Sequence, residues 1–395
     1  MSSLLEPIAI GGGKLALRNR VVMGALTRNR CVDDMKPGQA QIDHYSQRAK
    51  DGTGLIISEG VFIDWTGSHW TNAPVMISED HCKAWQKVVD GVHQAGGKMF
   101  FQPWHAGRCQ NDLMPALKER GLPVLAASPL QASGGKYRDL PGVPGHTANL
   151  KEIENPSEIV NMFRRAVALA KRAGFDGIEL LAQGGYLVQQ FLVPEANTRT
   201  DDYGGPVENR CRFLLEVVDA IGDVWGGYEL ICVKINPTDV LHGTVMTFAD
   251  LKETYDYLIK ELVARKVGII NISRRGTDLT VGDGSFTRSF PRPDGYPLPL
   301  GYDPVLDFGP LVKYPGSPSL LMANHEYTVE EADRLVKEGK LDLITFGRPF
   351  IWNPDLVTRI KYGIPLAQND RGDTVLYGPY TSPEQGYNDW PTAAA

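Results

Sequence analysis

Thr27, Gln102, Lys234 and Arg348 fall at or near the ends of four apolar runs: "RVVMGALT" (20–27), "KMFFQPWH" (98–105), "ELICVKINP" (229–237) and "LDLITFGR" (341–348). A hydroxyl, an amide and a cation, each from a different run, suit hydrogen bonding around a planar heterocycle. Backbone and glycine groups at Ala323-Asn324 and Gly347-Arg348 suit a phosphate. Other chemistries lack their residues. No two carboxylates have the placement that glycoside hydrolysis needs. No His, Cys and Asp cluster has metal-ligand spacing, and the eight histidines are dispersed. The pattern therefore points to a phosphate-bearing cofactor lying across a set of strand ends, with no metal.

The elements that must carry these residues follow one rhythm. "GLIISEG" (54–60), "GIELLAQ" (177–183), "GIINISR" (268–274) and "SLLMAN" (319–324) read as further buried strands. Amphipathic segments at 38–50, 78–97, 155–174, 207–226, 247–267 and 328–339 read as helices between them. Ser78 is the expected N-cap of the second, and the third carries a Ser-to-Gly cap pattern. Near-continuous apolar strands separated by helices mean a parallel sheet covered on both faces. About eight such units predict a closed α/β barrel, a single (β/α)8 TIM barrel with elaborated loops. The alternative, an open doubly wound sheet, lacks its usual glycine fingerprint after the first strand. The expected organisation is one domain over 1–395, with long Pro/Gly-rich loops at 106–153 and 275–318.

The chain of 395 residues has a formal net charge of −6, and no block of Lys and Arg. That disfavours nucleic acid or an anionic membrane as partner. Five scattered cysteines without a C-x-x-C pair fit reduced thiols. With no signal-peptide pattern and no apolar run long enough to span a bilayer, a cytoplasmic location is expected.

Six stretches, in collinear order over nearly the whole chain, resemble the Old Yellow Enzyme family, and fungal members above all. They are "NRVVMGALTRNR" (19–30), "GLIISEGVFI" (54–63), "FFQPWHAGR" (100–108), "GYLVQQFLVPEANTRTDDYGGPVENRCRFLLEVVDAI" (185–221), "VKINP" (233–237) and "LITFGRPFIWNPDLVTRIKYGIPL" (343–366). The resemblance implies a non-covalent FMN, NADPH or NADH as reductant, and an activated alkene as the small-molecule substrate. It places Thr27 on the flavin O4, Ala25 and Gly60 along the ring, and Gln102 on the pyrimidine edge. Lys234 stands near N1 and O2, where the family usually has arginine; lysine keeps the charge but not the planar fork. Ala323, Asn324, Gly347 and Arg348 would hold the phosphate, and Tyr186 matches the family's proton donor.

In "IELLAQGGY" (178–186) the chain departs from the family pattern. A histidine and an asparagine that grip the substrate oxygen and the nicotinamide carboxamide are replaced by Leu181 and Gly184. The implied substrate is bulky or apolar, with Gly184 opening volume beside the flavin and His105, Trp65 or Trp70 as substitute donors. Two other functions stay open: a flavin-dependent desaturase or oxidase recycled by oxygen, and a flavin-binding protein with little turnover. Arg199, Asp201, Glu208 and Arg210 read as a structural ion-pair network.

Overall fold

The computed structural model describes residues 2–133, 145–277, 292–372 and 374–393. Eight strands close into a barrel: β1 (Val21–Met23), β2 (Leu55–Phe62), β3 (Met99–Trp104), β4 (Gly177–Ala182), β5 (Ile231–Ile235), β6 (Ile269–Ser273), β7 (Leu320–Asn324) and β8 (Leu343–Phe346). Each pairs in parallel with its neighbour in sequence. β8 closes on β1 through Ile344↔Val21, Thr345↔Val22 and Phe346↔Met23. The closed barrel is therefore the fold, and the open sheet is excluded.

The helices α1 (Gln39–Asp51), α2 (Glu79–Gln94), α3 (Pro156–Arg172), α4 (Val207–Trp225), α5 (Phe248–Ala264), α6 (Pro304–Val312), α7 (Val329–Lys337) and α8 (Leu356–Tyr362) follow the strands in chain order. Ser78 caps α2 as expected, its Oγ accepting from the His81 amide. The cap of α3 is Asn155 rather than a serine. Its side chain accepts from the Ser157 amide, and Pro156 takes the first helical position, where a missing N–H costs nothing. Helix α6 lies inside the segment read as a long loop. Asp303 caps it and Pro304 starts it, but the surrounding Pro and Gly hide that signal. The central parts of both long loops, 134–144 and 278–291, lie outside the described residues.

Strand alternation divides the core in two. Ile56, Phe101, Ile178, Val233 and Ile270 point outward and pack under the helices. Leu55, Ile57, Phe100, Cys232, Ile269, Met322 and Leu343 point inward. A hairpin, Ile8–Ile10 with Leu15–Leu17, adds Ile10 and Leu17 to that inner layer beside the first residues of β2, β6 and β8. It plugs the end at which the strands begin, leaving the other end as the mouth. Of the expected ion-pair network only Arg199–Asp201 forms, at 2.5 Å; Arg210 instead donates to the Leu192 carbonyl at 3.1 Å, and neither it nor Glu208 makes an ion pair among the described residues. Arg199 and Arg210 both belong to the scaffold. No helix among the described residues is long and apolar enough to cross a membrane.

Candidate active site

Two residues beyond the inner apolar layer, the same alternation turns Gln102, Leu181, Lys234 and Asn324 toward the mouth. Glu179 sits just below them and is wholly buried. Its carboxylate accepts from Gln102 Nε2 at 2.7 Å and from Asn271 Nδ2 at 2.9 Å; Asn324 Nδ2 donates in turn to Asn271 Oδ1 at 2.8 Å. Four strand ends are thereby locked into one network, which the sequence reading did not contain. Gln102 commits its amide nitrogen to the barrel. What it can still offer a ligand is its carbonyl oxygen.

Lys234 is only 7% exposed, lies in register beside Leu181, and has no ionic or hydrogen-bonding partner among the described residues. An isolated buried ammonium is costly, so this site is complete only with an electronegative ligand above it. Thr27, past the end of β1, is half-buried and bonds no described residue. Ala25 packs on the inner core, and Gly60 lies so close to the Trp104 ring that a Cβ would stand 2.5 Å from it.

The β7 and β8 ends fit an anion. His325 and Glu326 are both left-handed (φ 79° and 60°), an uncommon conformation outside glycine. The Gly347 and Arg348 amides donate to no described residue, and Arg348 reaches Glu326 at 3.9 Å while 46% of its side chain stays exposed. The His325 imidazole is held down to about 3, first by burial and then by the charges of Arg275, Arg348, Arg274 and Lys234. So positive a field suits a phosphate. The set of groups thus fits FMN: a cation, a hydroxyl and the Gln102 carbonyl for the ring, amides and guanidinium for the phosphate.

Tyr186 forms the wall of the mouth. Gly184 and Gly185, both left-handed (φ 79° and 76°), reverse the chain after β4 and deliver the tyrosine to the start of a short helix, Leu187–Leu192. Its ring meets Trp104 edge to face at 4.7 Å, with His69 at 5.7 Å and His242 at 6.2 Å. Leu181 joins Phe62, Trp70 and Trp104 in one apolar cluster. Gly184 does not open volume, contrary to the expectation from sequence. A Cβ there would stand 2.8 Å from the Tyr186 ring and 3.6 Å from an Arg275 nitrogen.

His105 is turned into its own loop. Its Nδ1 accepts from the Gly107 amide at 3.0 Å, and its Nε2 lies 3.1 Å from Thr66 Oγ1. Burial lowers it to about 4, so it is neutral at physiological pH. Trp65 packs under Arg120, and Trp70 against Tyr377. His69, beside Tyr186, went unnoticed in sequence; its one signal is "SHW" (68–70), just beyond a strand that ends at the mouth.

Residues 3–287 match the NADH:flavin oxidoreductase / NADH oxidase family. A Leishmania infantum protein described as a probable flavin mononucleotide-dependent alkene reductase is 32% identical, over 98% of this chain and 97% of its own. The solved Old Yellow Enzyme homologue of Zymomonas mobilis is 30% identical, with a TM-score of 0.82 over 98% of this chain and 99% of its own. Morphinone reductase is 32% identical, with a TM-score of 0.83 over 99% and 96%.

This chain belongs to the Old Yellow Enzyme family. It is an FMN-dependent NAD(P)H oxidoreductase on a (β/α)8 barrel. In this family member the C-terminal segment is also tied to the chain just past β1. Arg28 donates to the carbonyls of Val375 and Gly386, both at 2.8 Å, and Arg30 to that of Gln385 at 2.8 Å, so the C-terminal segment is strapped beside β1.

Glu59 lies next to that strap, accepting from the Arg28 amide at 3.3 Å. Burial pushes its carboxyl up to about 7, against the opposing pull of Arg28 and Arg30. A carboxyl raised on folding contributes stability that is fully present below its unfolded pKa and is lost as pH rises through about 7. Glu59→Gln is therefore expected to melt at higher temperature than the parent at pH 8, by an increment of about 3 kcal/mol at most. At pH 5 the two should differ little. Thermal melts across that range check it; parallel curves at all pH values count against it.

Proposed function

We propose that this enzyme reduces the activated carbon–carbon double bond of a bulky, largely apolar substrate. The observation that carries this reading is the Tyr186 phenol set beside the mouth into which the partnerless Lys234 projects. The chemistry supplied by bound FMN is hydride transfer from NAD(P)H to the alkene. Thr27, Gln102 and Lys234 would orient its ring, Ala25 and Gly60 would line it, and the Ala323, Asn324, Gly347 and Arg348 groups would hold the phosphate. Tyr186 gives its proton to the α-carbon while hydride reaches the β-carbon. Leu181, with Phe62, Trp70 and Trp104, forms an apolar wall that favours large rings and excludes water. His105 serves by fixing the loop that carries His69.

A second reading, oxidation of a substrate with oxygen as acceptor, draws on the same leucine, because Leu181 offers a nicotinamide carboxamide nothing to bond. Anaerobic rapid mixing separates the two. Fast bleaching of the flavin by NADPH, followed by recovery of colour with an enone, supports reduction. Slow bleaching by NADPH and fast bleaching by the substrate would select oxidation.

A further inference from the structure

Gly184 has no side chain, yet its place is not empty. Arg275 lies two residues past the end of β6 and reaches across β5, so that one guanidinium nitrogen comes within 3.6 Å of where a residue-184 Cβ would be. Asp239, on the loop after β5, fixes it there. Asp239 Oδ2 accepts both the Gly184 amide at 2.6 Å and Arg275 at 3.2 Å, and its Oδ1 accepts the amides of Val240 and Leu241. The Asp239 side chain is fully buried and that of Arg275 is 18% exposed. This is an anchored internal pair tied to the same strand end as Tyr186, not a surface ion pair.

A guanidinium has five N–H donors, and Asp239 takes one. Arg275 Nε is buried without a partner among the described residues. A donor fan of fixed orientation, beside the proton-donating tyrosine and with spare N–H groups, is what an oxygen gaining negative charge requires. We infer that Arg275 anchors the substrate oxygen, so that a permanent cation from β6 stands in for side chains that β4 does not provide. The inference rests on the ene-reductase reading for its substrate, a conjugated carbonyl compound. It also gives the site a preference: oxygens that carry or develop charge, such as a phenolate or an enolate, over neutral polar groups.

Equilibrium binding tests this without turnover. 4-Chlorophenol and its oxygen-free match 4-chlorotoluene are titrated into the FMN-loaded protein at neutral pH and followed by flavin absorbance. Arg275→Met is expected to weaken 4-chlorophenol about tenfold or more and leave 4-chlorotoluene nearly unchanged, with Arg275→Lys between. Because Arg275→Met leaves a buried carboxylate alone, the double variant Arg275→Met/Asp239→Asn is measured beside it, and the same loss is expected. Equal weakening of both ligands would mean that Arg275 is only a wall. Unchanged binding of both also overturns the inference. Absence of bleaching by NADPH in the parent would instead remove the proposed reaction while the binding result on Arg275 still stood.

Discussion

Replacing Tyr186 with phenylalanine is expected to slow reduction of cyclohexenone roughly 10²–10⁴-fold while leaving flavin bleaching by NADPH within about twofold of the parent. The asymmetry follows from where the phenol acts. Hydride delivery to the cofactor needs no proton, whereas saturation of the alkene adds hydride to one carbon and a proton to the next. Phenylalanine keeps the edge-to-face contact with Trp104 at 4.7 Å and the packing beside His69 and Leu181, so the wall of the mouth survives. Stopped-flow traces of the two half-reactions give the answer separately. Equal slowing of both would show that the ring positions the flavin or the nicotinamide rather than supplying a proton. A nitroalkene offers a control, because its product ion is stable enough to leave and collect a proton from water. Its reduction should suffer much less.

What was legible in the sequence was what depends on periodicity and on strand ends. Eight apolar runs separated by helical patterns gave the barrel, because a parallel sheet buried on both faces has few other ways to be written. Thr27, Gln102, Lys234 and Arg348 could be picked out as candidates because each lies within or a few residues past the end of such a run. Contacts between distant segments were not legible. Glu179 looked like one more strand residue, yet it organises Gln102, Asn271 and, through it, Asn324. His105 looked available beside the mouth, but the backbone turn at Gly107 and the Thr66 hydroxyl occupy both its nitrogens. Helix α6 escaped because Pro304 and Pro310, which usually punctuate loops, here fall at its first position and near its end. The C-terminal segment carried no periodic signal at all. Arg28 and Arg30 hold it through its carbonyls, and a carbonyl has no signature in sequence.

The same blindness shaped the reading of Gly184. A glycine in place of a larger residue suggests a cavity, and the direct test of that view is to restore the pair with Leu181→His and Gly184→Asn. With Arg275 in place, we expect that change to give no gain on cyclohexenone and to lower turnover instead. Backbone conformation is the smaller obstacle, since asparagine tolerates φ +79° better than most residues. The larger obstacle is room. The new Cβ would press on the Tyr186 ring at 2.8 Å, and its amide would grow toward the guanidinium. The histidine would meanwhile replace a leucine that packs against Phe62, Trp70 and Trp104. Removing the guanidinium reverses the sign. Arg275→Ala alone is expected to slow the enone half-reaction roughly 10²–10³-fold, the effect of losing a donor aimed at developing charge. Adding the pair on that background should recover part of the loss, because the oxygen then has no other donor, although the Tyr186 ring still presses on the new Cβ. Four proteins form the cycle: the parent, the pair, Arg275→Ala, and all three changes together. The diagnostic quantity is the coupling, not any single rate. If the pair changes the enone half-reaction by the same factor in both backgrounds, Arg275 and the β4 positions act independently. The substrate oxygen must then be held elsewhere, and His69, 5.7 Å from the Tyr186 ring, becomes the residue to replace next.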